Sequence, residues 1–168
     1  MRIMYRKNGA RRGFTLIELL IVVAIIAVLS SIVLIGLGPT QRAGRDARRI
    51  ADLRQVQTAL ELYFNKCGYY PGQPQPVSPC GPFTAITTWQ DLVFSLRGSN
   101  VGVNQVPNDP TSGRTYSYGT DLSGSSYILG SSLEDQNSSA LVDDIDGFVN
   151  GVDCTGTGGT DTVYCIQL

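Results

Sequence analysis

The longest apolar run of the chain opens at Phe14 and continues to Leu37, with one charge, Glu18, inside it. As a helix rising about 1.5 Å per residue it would be roughly 36 Å long, enough to cross the hydrocarbon of a bilayer. Glu18 lies near one end, which lowers the cost of a charge that at a bilayer centre costs about 2.5–3.5 kcal/mol even on the lenient scale. Gly36, Gly38 and Pro39 close the run. A proline without an amide beside two glycines predicts a kink or a melted turn there. Beyond it, from 40 to 66, Ile50, Leu53, Val56, Leu60, Tyr63 and Phe64 recur at steps of three and four, while Arg45, Arg48, Arg49, Asp52, Arg54 and Glu61 take the other faces. That is an amphipathic helix whose apolar stripe needs a globular partner. Its arginines read either as a solvated face or as groups that meet the acidic heads of adjacent copies of the chain.

Cys67-Gly68-Tyr69-Tyr70-Pro71 ends the helix, with Gly68 as a C-terminal cap and Pro71 blocking continuation. Residues 71–87, which hold five prolines, read as loop. Thr88 then caps a short helix carrying Leu92, Val93 and Leu96, and Val106-Pro107-Asn108-Asp109-Pro110 makes a turn. Alternation at Tyr116 and Tyr118, at Tyr127 to Leu129 and at Val163 to Leu168 predicts three strands, most economically a small antiparallel sheet packed by its tyrosines. The fold class is therefore α+β, a long N-terminal helix packed on a small sheet head. The chain divides into a leader (1–13), an apolar helix (14–37), the amphipathic half of the long helix (38–66) and a globular head (67–168).

Charge separates the two ends of the chain. The formal net charge is −1, yet Arg2, Arg6, Lys7, Arg11 and Arg12 give residues 1–13 a charge of +5. Residues 81–168 set Arg97 and Arg114 against ten acids, which is −8. An acidic head disfavours nucleic-acid binding, which needs clustered Lys and Arg. There is no histidine, so the commonest general base and zinc ligand are missing, and the chain does not read as an enzyme. Four cysteines fall into sequence-local pairs, Cys67 with Cys80 and Cys154 with Cys165, without the C-x-x-C spacing of zinc or redox sites. They read as two local bridges, although four cysteines allow three connectivities. Basic residues on both sides of the apolar run leave its orientation undecided, and bridged cysteines put the head in an oxidising compartment and the leader in the cytoplasm.

Glu134, Asp135, Asp143, Asp144, Asp146 and Asp153 crowd residues 134–153 together with Gly147. Clustered carboxylates on a glycine-containing loop suit Ca²⁺, which takes six to eight oxygens at about 2.3–2.6 Å, and Asp135, Asp143, Asp144 and Asp146 are the candidate ligands. The spacing is not that of an EF-hand, and a solvated acidic loop is the alternative.

A basic leader, Gly13, then Phe14-Thr15-Leu16-Ile17-Glu18 opening a long apolar tract resembles the class III signal of type IV pilins and type II secretion pseudopilins. An ordinary secretory signal has a shorter apolar core followed by a small-residue cleavage site. The Gly-Tyr-Tyr-Pro turn that closes the helix and the order Pro107, Asp109-Pro110, Tyr116-x-Tyr118, Tyr127, Leu133-Glu134 extend the similarity to the head of the major pseudopilin. Many members carry their helix-breaking proline one turn earlier, where this chain has Ile35. The resemblance implies a pilin-like fold, cleavage between Gly13 and Phe14 by a prepilin peptidase, and N-methylation of Phe14. It implies a Glu18 that attracts the Phe14 amine of a neighbour, and growth into a helical homopolymer. It also implies an assembly ATPase, a platform membrane protein and minor pilins or pseudopilins as partners, and Ca²⁺ in the loop around Asp143 and Asp144. The expected location is the inner or plasma membrane with the head outside the cytoplasm, then a filament, either a secretion pseudopilus or a type IV pilus. A competence pilin for DNA uptake and a monomeric membrane-anchored binding domain with an uncut leader are the alternatives.

Overall fold

The structure, a computed structural model, describes residues 13–72, 80, 85–156 and 161–168, the side chains of 32–37 apart. The chain forms two compact units, Met1–Thr40 and Gln41–Leu168. Helix α1, Leu16–Cys67, contributes to both and runs through Pro39 as helix. The melted turn expected at Gly36, Gly38 and Pro39 is therefore absent. A proline removes only one N–H from the helical ladder, and the regular turns on either side keep the conformation. The loop expected at 71–87 lies largely outside the described residues.

Among the described residues no helix is long and apolar enough to cross a membrane. The helical side chains described ahead of residue 32 run from Leu16 to Ser31, short of the roughly 20 apolar residues that a bilayer requires. The rest of the crossing expected over 14–37 rests on side chains outside the described set. Within the first unit, every large apolar side chain described from Phe14 to Leu29 is at least half exposed, from Ile21 at 51% to Phe14 at 90%.

In the second unit α1 buries Leu53, Val56, Leu60 and Tyr63 of the expected stripe, together with Ala59 and Cys67, while Ile50 is half-buried and Phe64 is exposed. It ends on Gly68, whose φ of +82° and N–H bond to the Phe64 carbonyl (2.7 Å) make the expected C-terminal cap. A second helix, α2 (Trp89–Gly98), starts on Thr88, which forms a reciprocal capping box with Asp91, and buries Trp89, Leu92 and Leu96. The sheet has the order β1-β2-β5, all antiparallel: β1 Ser117–Thr120, β2 Tyr127–Ser132 and β5 Val163–Gln167. Central β2 places Leu129 between Tyr118 and Ile166. A small second hairpin, β3 (Phe148–Val149) with β4 (Val152–Asp153), lies inside the acidic stretch. Asn150 and Gly151 turn it with φ of +48° and +87°, the positive pair that a type I′ turn needs.

The disulfides are Cys67–Cys80 and Cys154–Cys165, with Cα atoms 5.7 and 5.8 Å apart. The first ties the end of α1 to the segment before α2. The second is buried with Ile128 and Val152 in a cluster separate from the main core.

The tyrosines pack the head as expected, and their hydroxyls reach polar groups of α1. Tyr116 donates to Asp52 (2.7 Å), Tyr70 and Tyr127 donate to Glu61 (3.1 and 3.2 Å to Oε1), and the Arg54 guanidinium donates to Tyr164 (3.1 Å). Each ring thus adds apolar area and a satisfied polar tip.

The reading of the α1 arginines as solvated is corrected at two positions. The Arg49 side chain is fully buried and binds Asp46 (2.6 Å), Asp109 (2.8 and 3.0 Å), Thr111 (2.8 Å) and Glu134 (3.0 Å). Arg45 pairs with Glu134, while Asp46 accepts the backbone N–H groups of Glu134 and Asp135 (3.0 and 2.9 Å). Helical periodicity sorts polar from apolar positions but does not reveal a buried polar group that finds partners. Burial alone would raise the Asp109 carboxyl, yet bonds from Arg49 and the Thr111 N–H outweigh it and hold it below its ordinary value. The Arg45 hydrogen bond, against burial and with help from Arg49, brings Glu134 down to about 2.

Replacing Arg49 with Met leaves Asp46 and Asp109 buried without their cation and Glu134 with Arg45 alone, and the expected loss is about 3–5 kcal/mol. Denaturant unfolding of the full chain measures it, and a loss below 1 kcal/mol, the range of an exposed pair, would exclude a buried network. Because folding lowers Glu134, its stabilisation is complete above its ordinary value of 4.5 and is lost as pH falls towards about 2. Glu134→Gln should therefore flatten the acid limb of the stability profile, which unfolding midpoints across that window measure.

Candidate functional site

Two places bear on function. At the N-terminal end, Gly13 and Phe14 are exposed and non-helical, and Phe14 precedes the first turn of α1. Thr15 is the cap: its N–H and its hydroxyl each donate to Glu18 Oε2 at 2.8 Å, and its Oγ1 accepts the Glu18 N–H at 3.3 Å. This is a capping box of the T-x-x-E type. The Gly13–Phe14 peptide bond thus sits in open, non-helical backbone immediately outside a fixed helix start.

The acidic stretch forms the second place. Ligand oxygens of Asp144, Asp146 and Asp161 lie within 4.8 Å of one another. Asp144 is partly buried; its Oδ2 accepts the Cys165 N–H at 2.8 Å, while its Oδ1 is buried without a partner among the described residues. Burial raises its carboxyl above the ordinary value, the Cys165 bond opposes this, and the charges of Asp161 and Asp146 add to the rise. Cys165 is held by the Cys154–Cys165 bridge, and the Cys154 N–H binds the Gly147 carbonyl at 2.8 Å, so the disulfide fixes both edges of the group. Two oxygens on one Ca²⁺ ion can be at most about 5 Å apart, twice the 2.3–2.6 Å bond, so this group is compatible with a shared hard cation.

Of the expected ligands, Asp144 and Asp146 come together; Asp135 and Asp143 do not join them. The Asp135 carboxylate instead accepts the Asn137 N–H at 3.0 Å and its own N–H binds Asp46, which turns this segment towards α1. Asp143 is exposed at the edge of the loop. Asp161, the third member, is separated from the others by the bridged segment, and its Oδ1 also accepts the Val163 N–H at 3.2 Å.

The family model of the prokaryotic N-terminal methylation motif matches residues 8–34. The chain carries that methylation motif. It is also similar to the type II secretion system core protein G of Pectobacterium carotovorum subsp. carotovorum, 36% identical over 73 residues, which are 42% of this chain and 46% of the relative. The core protein G of Escherichia coli (strain K12) is 32% identical over 66 residues, 39% of this chain and 46% of the relative. The chain thus spans about half the length of the curated relatives it matches. No solved structure matches it.

Three features of these places were present in the sequence without being used. Thr15-x-x-Glu18 is a capping-box pattern, and Asn150-Gly151 between Val149 and Val152 is a strong short hairpin signal. Asp161 precedes the last strand by two residues, and only closure of the Cys154–Cys165 loop shows which side of the loop it joins.

Proposed function

We propose that the chain is a pseudopilin-type structural subunit, cleaved after Gly13, N-methylated at Phe14 and polymerised into a type II secretion pseudopilus. The methylation motif carries this reading, supported by an exposed, non-helical Gly13–Phe14 bond before a capped helix. A peptidase needs extended backbone, and here the helix begins only at Leu16. Cleavage removes the five leader charges, so the apolar part of α1 can pass between lipid and sister helices without a basic tail. In the polymer the new Phe14 amine of one subunit meets Glu18 of the next. At an effective dielectric near 20 such a pair at 4 Å is worth about 4 kcal/mol before desolvation is subtracted. Bonds of Thr15 occupy Glu18 Oε2, so Oε1 would be the oxygen that takes the incoming amine.

The work of the chain is then assembly rather than catalysis, in keeping with relatives whose names describe a core secretion component. A prepilin peptidase, an assembly ATPase, a platform membrane protein and minor pseudopilins are the partners of this reading. The disulfides argue for a head outside the cytoplasm, where such bridges persist. A type IV pilus would use the same processing and the same helix.

Ca²⁺ at Asp144, Asp146 and Asp161 belongs to the same proposal. A cation there would satisfy the buried Asp144 Oδ1 and relieve the repulsion of three carboxylates, so its role is to fix the acidic loop, with water and backbone oxygens completing the shell.

Intact mass of the membrane-extracted chain tests the processing: loss of residues 1–13 and gain of one methyl group are expected, and an unprocessed chain would reject the pseudopilin reading. Glu18→Ala should be cleaved normally yet fail to assemble, and normal filaments from it would remove the role given to its charge. Thermal unfolding tests the cation. In EGTA, Asp144→Asn should raise the midpoint by relieving charge strain. Ca²⁺ at a hundredfold excess over Kd should stabilise the unsubstituted chain by about 2.7 kcal/mol and leave the variant unmoved; an unchanged midpoint for the unsubstituted chain would sink the calcium reading.

A further inference from the structure

An open cleft of about 840 Å³ lies in the second unit, between the start of its α1 segment, the turn at Pro110–Arg114 and the residues that follow β2. Its walls carry three guanidinium groups, Arg42, Arg45 and Arg114, against one carboxylate, Glu134. Glu134 is already shared between Arg45 and the buried Arg49. Arg42 and Arg114 are exposed and make no ion pair within 4 Å among the described residues; the Arg114 guanidinium donates to the Ser132 carbonyl at 3.3 Å, and its charge helps to lower the Asp109 carboxyl behind it. The cleft is thus a local excess of positive charge on a head whose residues 81–168 sum to −8. Pro110 and Leu133 add apolar surface between the arginines.

The complementary charge is on the same molecule. Asp143 is exposed and has no hydrogen bond or ion pair among the described residues, and it stands apart from the Asp144 group. Val142 beside it is 78% exposed, so an acid and an apolar side chain are exposed at consecutive positions. Neither residue lines the cleft.

We infer that the cleft receives the Val142–Asp143 projection of a second copy of this chain. The inference rests on the filament-subunit reading above and names a contact within it. A carboxylate can take both N–H groups of a guanidinium fork, and Pro110 and Leu133 give the valine an apolar seat. A free phosphate or a lipid headgroup would use the arginines and leave that apolar surface without purpose. The contact is heterologous: each copy offers one cleft and one projection, so every addition leaves an unused cleft at one end and an unused projection at the other. Growth is open-ended, as a filament requires, when the rotation between successive copies does not close a ring. One exposed ion pair is worth less than about 1 kcal/mol, so the contact selects register and partner, while the apolar helices supply the bulk of the attraction.

Cysteine cross-linking of the full chain, in cells that process and assemble it, tests this contact. All four native cysteines are bridged, so introduced thiols at Arg114→Cys and Asp143→Cys pair with each other. The chain carrying both should give an oxidative ladder of dimers, trimers and higher species, and either substitution alone should give no ladder. Charge reversal provides the second arm. Arg114→Asp or Asp143→Arg alone should lower the assembled fraction about tenfold, the factor that corresponds to about 1.4 kcal/mol, and the two together should restore it, which a loss of stability at Arg114 beside Asp109 would not do. Filaments without the ladder would overturn the inference while leaving the pseudopilin reading intact, and a ladder lost on adding anionic vesicles would assign the cleft to lipid. Dimers from Arg114→Cys alone would show an isologous contact and overturn it equally. Absence of filaments from the unsubstituted chain would reject the filament reading itself.

Discussion

A buried guanidinium organises the head. Arg49 has no access to solvent, so its charge is tolerable only because Asp46, Asp109 and Glu134 surround it and Thr111 takes a further N–H. These partners come from α1 itself, from the turn before β1 and from the segment after β2. One side chain therefore fixes the rotation of α1 against two loops that have no regular structure of their own. Desolvating these charges cancels much of their attraction, so what the network contributes is orientation more than net stability. An arginine suits this work because its planar fork reaches several oxygens at set angles, which a lysine cannot do.

From that anchor the rest of the head follows in layers. Asp109 accepts from Arg49 on one side, while the neighbouring Pro107 carbonyl and Asn108 side chain accept the Trp89 indole N–H at 3.2 and 3.1 Å, so the 107–111 turn joins α1 to α2. Farther along α1, Asp52 and Glu61 take the hydroxyls of Tyr116, Tyr70 and Tyr127. The helix thus presents apolar residues to the core and acidic groups at its margin, where the phenol tips arrive. Strand β2, buried from Tyr127 to Ser131, carries the packing across to β5.

Spacing was enough to read the long helix, its cap at Gly68, the capped start of α2 and the three principal strands, because each depends on contacts within a few residues or on a period that the fold preserves. Arg49 could not be read in this way. Its position on α1 looks polar, and its burial is decided by acids 60 and 85 residues distant in the chain. The continuity of α1 through Pro39 also escaped local rules, since the cost of one lost bond is set against a helix that is regular on both sides. The candidate cation group was half legible: Asp144 and Asp146 are adjacent on the loop, whereas Asp161 reaches them through a disulfide that closes the intervening segment. The hairpin at Asn150-Gly151 was legible from its turn residues alone, and its place in an acidic, glycine-containing stretch masked the alternation on either side.

The capping box at Thr15 and Glu18 has a further consequence for the mature subunit proposed above. The N-terminal end of a helix carries partial positive charge from its aligned peptide dipoles, equivalent to roughly half a proton charge. Removing the leader would place a full ammonium at Phe14, two residues ahead of Leu16, against that like-signed end. Methylation keeps the charge. Processing would therefore leave each subunit with an electrostatic imbalance at one terminus, and the first-turn carboxylate of Glu18 is the near group able to offset it. A carboxylate that steadies its own helix in the unassembled chain would, in the polymer, divide its field between that helix and the terminus of a neighbour.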